Sequence, residues 1–408
     1  MQKSNLPSQP EAQQSQAQQP AEGGSAPRSA QKKNKKNLSV ALKSKQLPKW
    51  APWGVAAASI VVAIALTFLF LGGFNVALAA ALAGVINLAV IFGWSFSVEG
   101  QRKAVDRVAT TLVTSAFAVA CIPLVSLLWT ALERGGPVLI EHPSVLNRTM
   151  QGMKGVLDQD YVAGETGLAG GFYHAIVGTV LITLASCVIS IPIGVLTAIY
   201  LVEYGGKNAL ARGITFLVDV MTGIPSIVAG LFAFSLFGTI FSLVNPGAVG
   251  SAKTGIAAAV ALSVLMIPVV VRNTEEILRL VPMDLREATY ALGVPKWKTI
   301  VRIVLPTAIS GILSGITIAI ARVIGETAPI MVTAGFAKNL NWDLFSGWMS
   351  TLPTYIYDSQ MRPVSPGVAA AASSERAWAA ALILIIIVMV LNLIARIIAK
   401  ALAPKAGR

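Results

Sequence analysis

Hydrophobic and polar positions along this chain fall into long blocks rather than a short alternation. Eight apolar runs, at residues 50–71, 75–97, 108–132, 174–201, 214–243, 254–271, 307–333 and 378–399, each approach or exceed the roughly 20 residues that carry a helix across about 30 Å of hydrocarbon. The pattern predicts an all-α, polytopic membrane bundle of about eight helices. The first two runs are Ala-rich, lack interior charge and are joined by "GGFN", so they read as an added N-terminal transmembrane hairpin over 50–97. Several prolines fall within runs, namely Pro123, Pro192, Pro225, Pro268 and Pro329. Each removes a helix hydrogen bond, and the freed carbonyls must find partners inside a bundle, which suits a transport bundle better than simple anchors.

The polar connections set the orientation. Residues 1 to about 37 are rich in Gln, Ser, Pro and Ala, too poor in apolar surface to offset the entropy of ordering, so 1–49 is expected to be a disordered basic tail. Its lysines, Lys32, Lys33, Lys35, Lys36, Lys43, Lys45 and Lys49, suit a cytoplasmic anchor and, further, anionic lipid headgroups. Counting onward, "SVEGQRKAVDR", "EYGGKNALAR", the 272–306 loop and the C-terminal tail with Arg396, Lys400, Lys405 and Arg408 all carry Lys or Arg. The loops at 133–173 and 334–377 are acidic or nearly neutral. Both termini are therefore expected in the cytoplasm, with a plasma-membrane location.

Composition agrees. The 408 residues are 55% hydrophobic and 12% charged, against about 25% charged in soluble domains. The net charge of +13 sits outside the apolar runs, and no basic–aromatic module points to nucleic acid. Cys121 and Cys187 lie in apolar runs as small apolar residues, and His142 and His174 stand alone, so no metal is expected. No Gly-x-x-x-x-Gly-Lys-Ser/Thr loop is present; Gly206-Lys207 is followed by Asn208. No cofactor is expected on this chain, and no catalytic constellation is visible.

The connection between the sixth and seventh runs carries a mechanism. In "VPMDLREATYALGVPKWKTIVRIVLPTAISGI", Pro282 and Asp284 suit a helix start and Gly293 a helix stop. Pro295 then opens a second short helix, which Pro306 is expected to end. An apolar stripe of Leu285, Ala288, Ala291 and Leu292 is expected to pack on the bundle ends, exposing a Gly-Val-Pro corner able to pass a rigid-body motion to the spans.

That loop resembles the signature loop of ATP-binding-cassette importer permeases, through Glu287, Ala288, Gly293, Leu305, Pro306 and Gly311. "GGFYHAIVGTVLIT", "YLVEYG", "GIPSIVAGLF" and "ARVIGETAPI" are similar to the PstA-type permeases of the phosphate-importer family. The resemblance covers about 108–402, a six-span core. It implies a subunit forming half of a phosphate pathway, coupled to ATPase subunits through 282–306, with Glu287, Ala288, Gly293, Val294, Pro295 and Pro306 at the contact. It also implies a second, related permease, two ATPase subunits that use ATP and Mg, an external phosphate-binding protein and a bacterial inner membrane. Another oxyanion, sulfate or molybdate, is the alternative substrate; an ion-coupled secondary transporter would leave the loop unexplained.

Two opposite charges stand out in the seventh run. Arg322 lies sixteen residues beyond Pro306, about 24 Å along a helix, where a cation is costly and usually functional. Glu326, at i+4, is expected on the same helix face. Together they suggest an anion path: the guanidinium fork suits phosphate oxygens, and the carboxylate keeps binding weak enough for release. A static ion pair that fixes packing is the other reading. Asp219 is a secondary candidate, expected at an interface, and Glu203 is expected at a span end.

Overall fold

The computed structural model describes residues 47–71, 75–206, 208–244 and 252–402. The tail through residue 46 with its lysines, Gly72 to Phe74 of the expected hairpin turn, Lys207, Lys405 and Arg408 lie outside the described residues. Among the described residues the structure is all-helical, and eight helices are long and apolar enough to cross a membrane. The chain divides into two compact units, Met1–Leu124 and Val125–Arg408.

In the first unit, α1 (Ala51–Leu71) and α2 (Val76–Glu99) are followed by α3, a 41-residue helix over Gln101–Glu141 that continues into the second unit. Asn75 starts α2 as an N-cap, its side chain accepting from the Leu78 amide at 3.1 Å. Gly100, at φ 87°, supplies the left-handed turn between α2 and α3. The buried Glu99 carboxylate closes the polar end. It accepts from the Leu47 amide (2.9 Å), the Ser95 hydroxyl (2.8 Å) and both Nε and Nη2 of Arg107 (2.5 and 2.8 Å). This bidentate geometry lets a buried charge be tolerated.

The second unit contains the rest of α3, then α4 (Gly155–Val162) and α5 (Tyr173–Ile199), which runs on as a π-turn, Tyr200–Tyr204. Next come α6 (Ala209–Thr222), α7 (Ser226–Val244) and α8 (Gly255–Leu280). After these are α9 (Met283–Ala291) and α10 (Lys296–Thr299), a second π-turn at Ile300–Val304, and α11 (Leu305–Ile324). The chain ends in α12 (Ala328–Thr333), α13 (Leu352–Met361) and α14 (Ala370–Leu402).

Two spans depart from the expected continuous runs. The fifth breaks at Gly223-Ile224-Pro225 between α6 and α7, and the seventh at Gly325-Glu326-Thr327 between α11 and α12. Pro225 closes the first break and Pro329 lies just beyond the second, each at the start of the next helix, where a proline supplies no amide to continue the preceding one. Pro123, Pro192 and Pro268, by contrast, are absorbed inside α3, α5 and α8. Pro306 does not end a helix as expected. It sits in the first turn of α11, directly after the π-turn, whose wider hydrogen-bond spacing accommodates the missing amide.

The helices approach closely where side chains are small, as membrane packing requires. A Cβ on Gly194 of α5 would lie 2.6 Å from a Val270 methyl of α8, and one on Gly178 would lie 2.1 Å from the Ser350 carbonyl oxygen. At the end bearing α4 and α13, Arg376 is fully buried. Its Nη1 and Nη2 donate to both Asp158 oxygens at 2.8 and 2.7 Å, and Nη1 also to the Ala169 carbonyl at 3.0 Å. This pair sits among Val145, Leu168, Phe172, Leu352 and Tyr355. Beside it, burial and the Glu375 carboxylate that accepts its proton push the Tyr161 phenol up to about 12, so it stays neutral.

The packing yields a paired expectation. Gly178→Ala should cost about 1–3 kcal/mol, because backbone on both sides prevents relief. Gly136→Ala in α3, which meets nothing within 4 Å, should be neutral or slightly stabilising. Thermal unfolding midpoints of the detergent-purified chain compare the two.

Candidate functional site

The corner after α8 is built by local chemistry. Pro282 precedes α9, and Asp284 sits in its first turn, where a carboxylate complements the helix dipole. At the other end Gly293 adopts φ 75°, its amide bonding the Tyr290 carbonyl at 2.9 Å and the Val294 amide the Thr289 carbonyl at 3.2 Å. Those two bonds define a Schellman stop. Pro295 then accepts from the Lys298 and Thr299 amides at 3.0 and 3.2 Å and starts α10. Glu287, Ala288, Gly293 and Pro295 are exposed and Val294 is half-buried.

The side of α9 that packs inward is not the expected one. Leu285, Ala288, Ala291 and Leu292 are all exposed, Leu292 at 81%. The buried residue is Arg286. Its Nε and Nη2 donate to Glu203 Oε1 at 3.2 and 2.9 Å, its Nη1 to the Val281 carbonyl at 2.7 Å, and its Nη2 to the Leu278 carbonyl at 3.0 Å. Leu278 and Val281 lie at the C-terminal end of α8, where carbonyls lack helical partners. Glu203, expected at a span end, lies in the π-turn that ends α5 and is buried. One guanidinium thus ties α9 to α5 and α8, and the apolar stripe is left facing outward with Met283, Tyr290 and Trp297. Sequence reasoning missed this pair. Its only signal was that Glu203 is a single charge flanked by apolar residues.

The second assembly lies at the two breaks. α7 and α12 pack so closely that a Cβ on Gly230 would come 2.7 Å from Pro329 Cα. This brings the start of α7 beside the break that carries Glu326, and the Ser226 hydroxyl donates toward the Glu326 carboxylate. Glu326 is outside α11, its amide bonded to the Val323 carbonyl at 3.1 Å. The expected shared helix face with Arg322 therefore does not exist, because α11 stops at Ile324 with Gly325 as its cap. Arg322 is in the last turn of α11, where a cation complements the helix dipole. Its side chain is exposed and makes no hydrogen bond or ion pair within 4 Å among the described residues. Glu326 interacts with it only electrostatically.

Asp219 of α6 is paired with Arg272 of α8. Arg272 also reaches Glu275 at 3.1 Å, and Glu275 accepts from Arg279 at 2.6 Å. Asp219 is thus one end of a charge ladder along α8 rather than a lone carboxylate. Of the sequence candidates, the structure gathers Arg322 and Glu326 near the paired breaks, where Ser226 joins them, and sets Glu287 to Pro295 apart at the corner.

Residues 190–408 match the family described as the binding-protein-dependent transport system inner membrane component. The chain is 46% identical over 298 residues to the phosphate transport system permease protein PstA 1 of Mycobacterium tuberculosis, covering 73% of this chain and 90% of that protein. It is 34% identical over 300 residues to the phosphate transport system permease protein PstA of Yersinia pestis, covering 74% and 92%. It is also similar to a chain in the crystal structure of a bacterial ABC transporter involved in import of the acidic polysaccharide alginate, at 14% identity and a TM-score of 0.44, over 72% of this chain and 96% of that one.

The buried tie at α9 gives a sharp expectation. Glu203→Gln strands a buried cation and should cost about 3–5 kcal/mol, whereas the double variant Glu203→Leu with Arg286→Met should recover most of that loss. Unfolding midpoints of the wild type, Glu203→Gln and the double variant check it.

Proposed function

The chain belongs to the binding-protein-dependent inner-membrane transport components, among the PstA phosphate-transport permeases, and from that premise we propose how its residues couple a partner's ATP hydrolysis to phosphate passage. It is a membrane permease subunit of an ATP-driven phosphate importer. The observation that carries this is the 46% identity to PstA 1 across 90% of that protein. Such a permease works with an ATPase and a substrate-binding protein.

In the proposed assembly this subunit pairs with a second, related permease. Two ATPase subunits bind ATP and Mg on the cytoplasmic side, an external protein delivers phosphate, and both termini face the cytoplasm. The Lys and Arg of the loops that would lie inside support that orientation. The face of Met283, Leu285, Tyr290, Leu292 and Trp297 is the docking surface for the ATPase. It is apolar, preformed and unused by the chain's own core, which suits insertion into a partner's groove.

Motion then enters through Arg286. The guanidinium grips the ends of α5 and α8, so a displaced α9 moves both rather than sliding over them. The two breaks are the points at which the spans yield. Arg322, exposed and without a close partner among the described residues, binds phosphate by paired hydrogen bonds from its fork. Glu326, held from the side by Ser226, opposes tight trapping of the anion without neutralising the guanidinium. Asp219 acts indirectly, by fixing α6 to α8 next to the first break.

Two measurements test the route. Arg322→Gln should lower phosphate uptake by at least about tenfold, the worth of one charge-assisted contact, with normal amounts of assembled complex in the membrane. Normal uptake overturns the role, and lost assembly assigns Arg322 to packing. In the reconstituted transporter, excess sulfate or molybdate should leave phosphate uptake unchanged; competition would make the substrate a broader oxyanion class. Separately, Leu292→Asp should abolish co-purification of the ATPase while the chain remains inserted.

A further inference from the structure

The first unit has no place in the route above, yet it holds a groove of about 970 Å³ between α1, α2 and the N-terminal half of α3. Its walls change character along their length. At one end are Lys103 and Arg107 with the carboxylates Glu99 and Asp106. Glu99 is consumed by Arg107 and the Leu47 amide, so it presents little free charge. Lys49 and Arg102 are exposed on the flanking segments, giving four cations against two carboxylates in this region. The lysine-rich stretch from Lys32 to Lys45 immediately precedes it in sequence.

Deeper in the groove, Asn87, Thr111 and Ser115 line the wall and make no side-chain hydrogen bond among the described residues. Thr110 and Thr114 differ, since each already donates to a carbonyl of its own helix, at 2.9 and 2.7 Å. Unpaired polar groups at membrane depth are costly unless a partner meets them. The apolar walls include Ile60, Ala83 and Gly84. Gly84 is fifteen residues from Glu99, about 22 Å along α2 by helical rise, so the groove reaches from its charged end past the depth of one leaflet, about half of the 30 Å hydrocarbon. Exposed Trp50 and Trp53, and Trp94 packed edge-on against Trp50, lie at the same end as Leu47 and Glu99, as aromatic residues do at a membrane interface.

We propose that this groove is a binding site for one anionic glycerophospholipid from the leaflet at the basic end of the first unit. Lys103, with Lys49 and Arg102 beside it, takes the headgroup phosphate. Thr111, eight residues and about 12 Å along α3 from Lys103, donates to an ester carbonyl, and water carried in with the lipid meets Ser115 and Asn87 farther down. The acyl chains run along Ile60 and Ala83 to Gly84. Naming the leaflet cytoplasmic rests on the orientation proposed above; the site itself does not.

The test uses the full chain in its assembled complex, equilibrated with vesicles of equimolar phosphatidylglycerol and phosphatidylethanolamine, then purified for mass spectrometry of retained lipid. Wild type should retain phosphatidylglycerol about fivefold over phosphatidylethanolamine, the preference expected from about one lysine near an anionic surface. Gly84→Leu fills the groove without a clash, since a Cβ there meets nothing within 4 Å, and should abolish retention. Lys103→Gln should keep a lipid but lose the preference. Added inorganic phosphate should displace nothing, separating a headgroup from the free anion. Equal retention of both lipids by wild type, or unchanged retention by Gly84→Leu, overturns the proposal, as does a co-purifying protein segment cross-linked to position 87 in place of lipid. Arg322→Gln should retain lipid normally, so a failed transport route and a failed lipid site give different results.

Discussion

In hydrocarbon, every backbone amide and carbonyl must find a partner within the protein, and the second unit is arranged around the two places where its helices interrupt that pairing. The breaks at 223–225 and 325–327 are not scattered. α7 and α12 lie in contact at Gly230 and Pro329, closer than any residue with a Cβ would permit without a shift. Each interrupted span thereby covers the other, and the price of two irregular segments is met once. The result is a locus where helical pairing is interrupted within the bundle, with an arginine and a glutamate beside it that are not hydrogen-bonded to each other among the described residues.

The opposite end is built for stiffness. α9 and α10 meet at a Schellman stop followed directly by a proline start, so neither helix can lengthen into the other. Arg286 spends its donors on Glu203 and on the free carbonyls at the end of α8. A buried ion pair of this kind adds little net stability. What it fixes is registry: the corner has one seat on the bundle, and an apolar face pointing away from it. Compliance near Arg322 and rigidity near Arg286 are what the proposed transmission of a push through α9 would require.

Which of these features the sequence made legible follows from their range. Eight spans follow from apolar length alone, and the corner from Pro282, Gly293 and Pro295, because both are local. Pro225 and Pro329 mark the breaks in sequence, but prolines equally placed at 123, 192 and 268 are absorbed within helices, so sequence alone does not say which spans break. Glu203 with Arg286, and Asp158 with Arg376, are 83 and 218 residues apart in sequence, and nothing local announces such pairs. The stripe of Leu285, Ala288, Ala291 and Leu292 was legible as amphipathic, but periodicity says only that a face is apolar. Whether the chain's own core or another protein covers it is decided by the tertiary fold.

The π-turn at Ile300–Val304 sets the phase of everything beyond it. A π-turn holds one more residue than the α-helical turn it replaces, so it acts as a built-in insertion between the corner and α11. Removing that residue would restore an ordinary helix and rotate the remainder of α11 by about 100°, the angle of one residue at 3.6 per turn. Arg322 would keep its depth to within about 1.5 Å while pointing at a different neighbour. The same span could thus present or withdraw its cation by a change of winding, with no displacement of the helix axis.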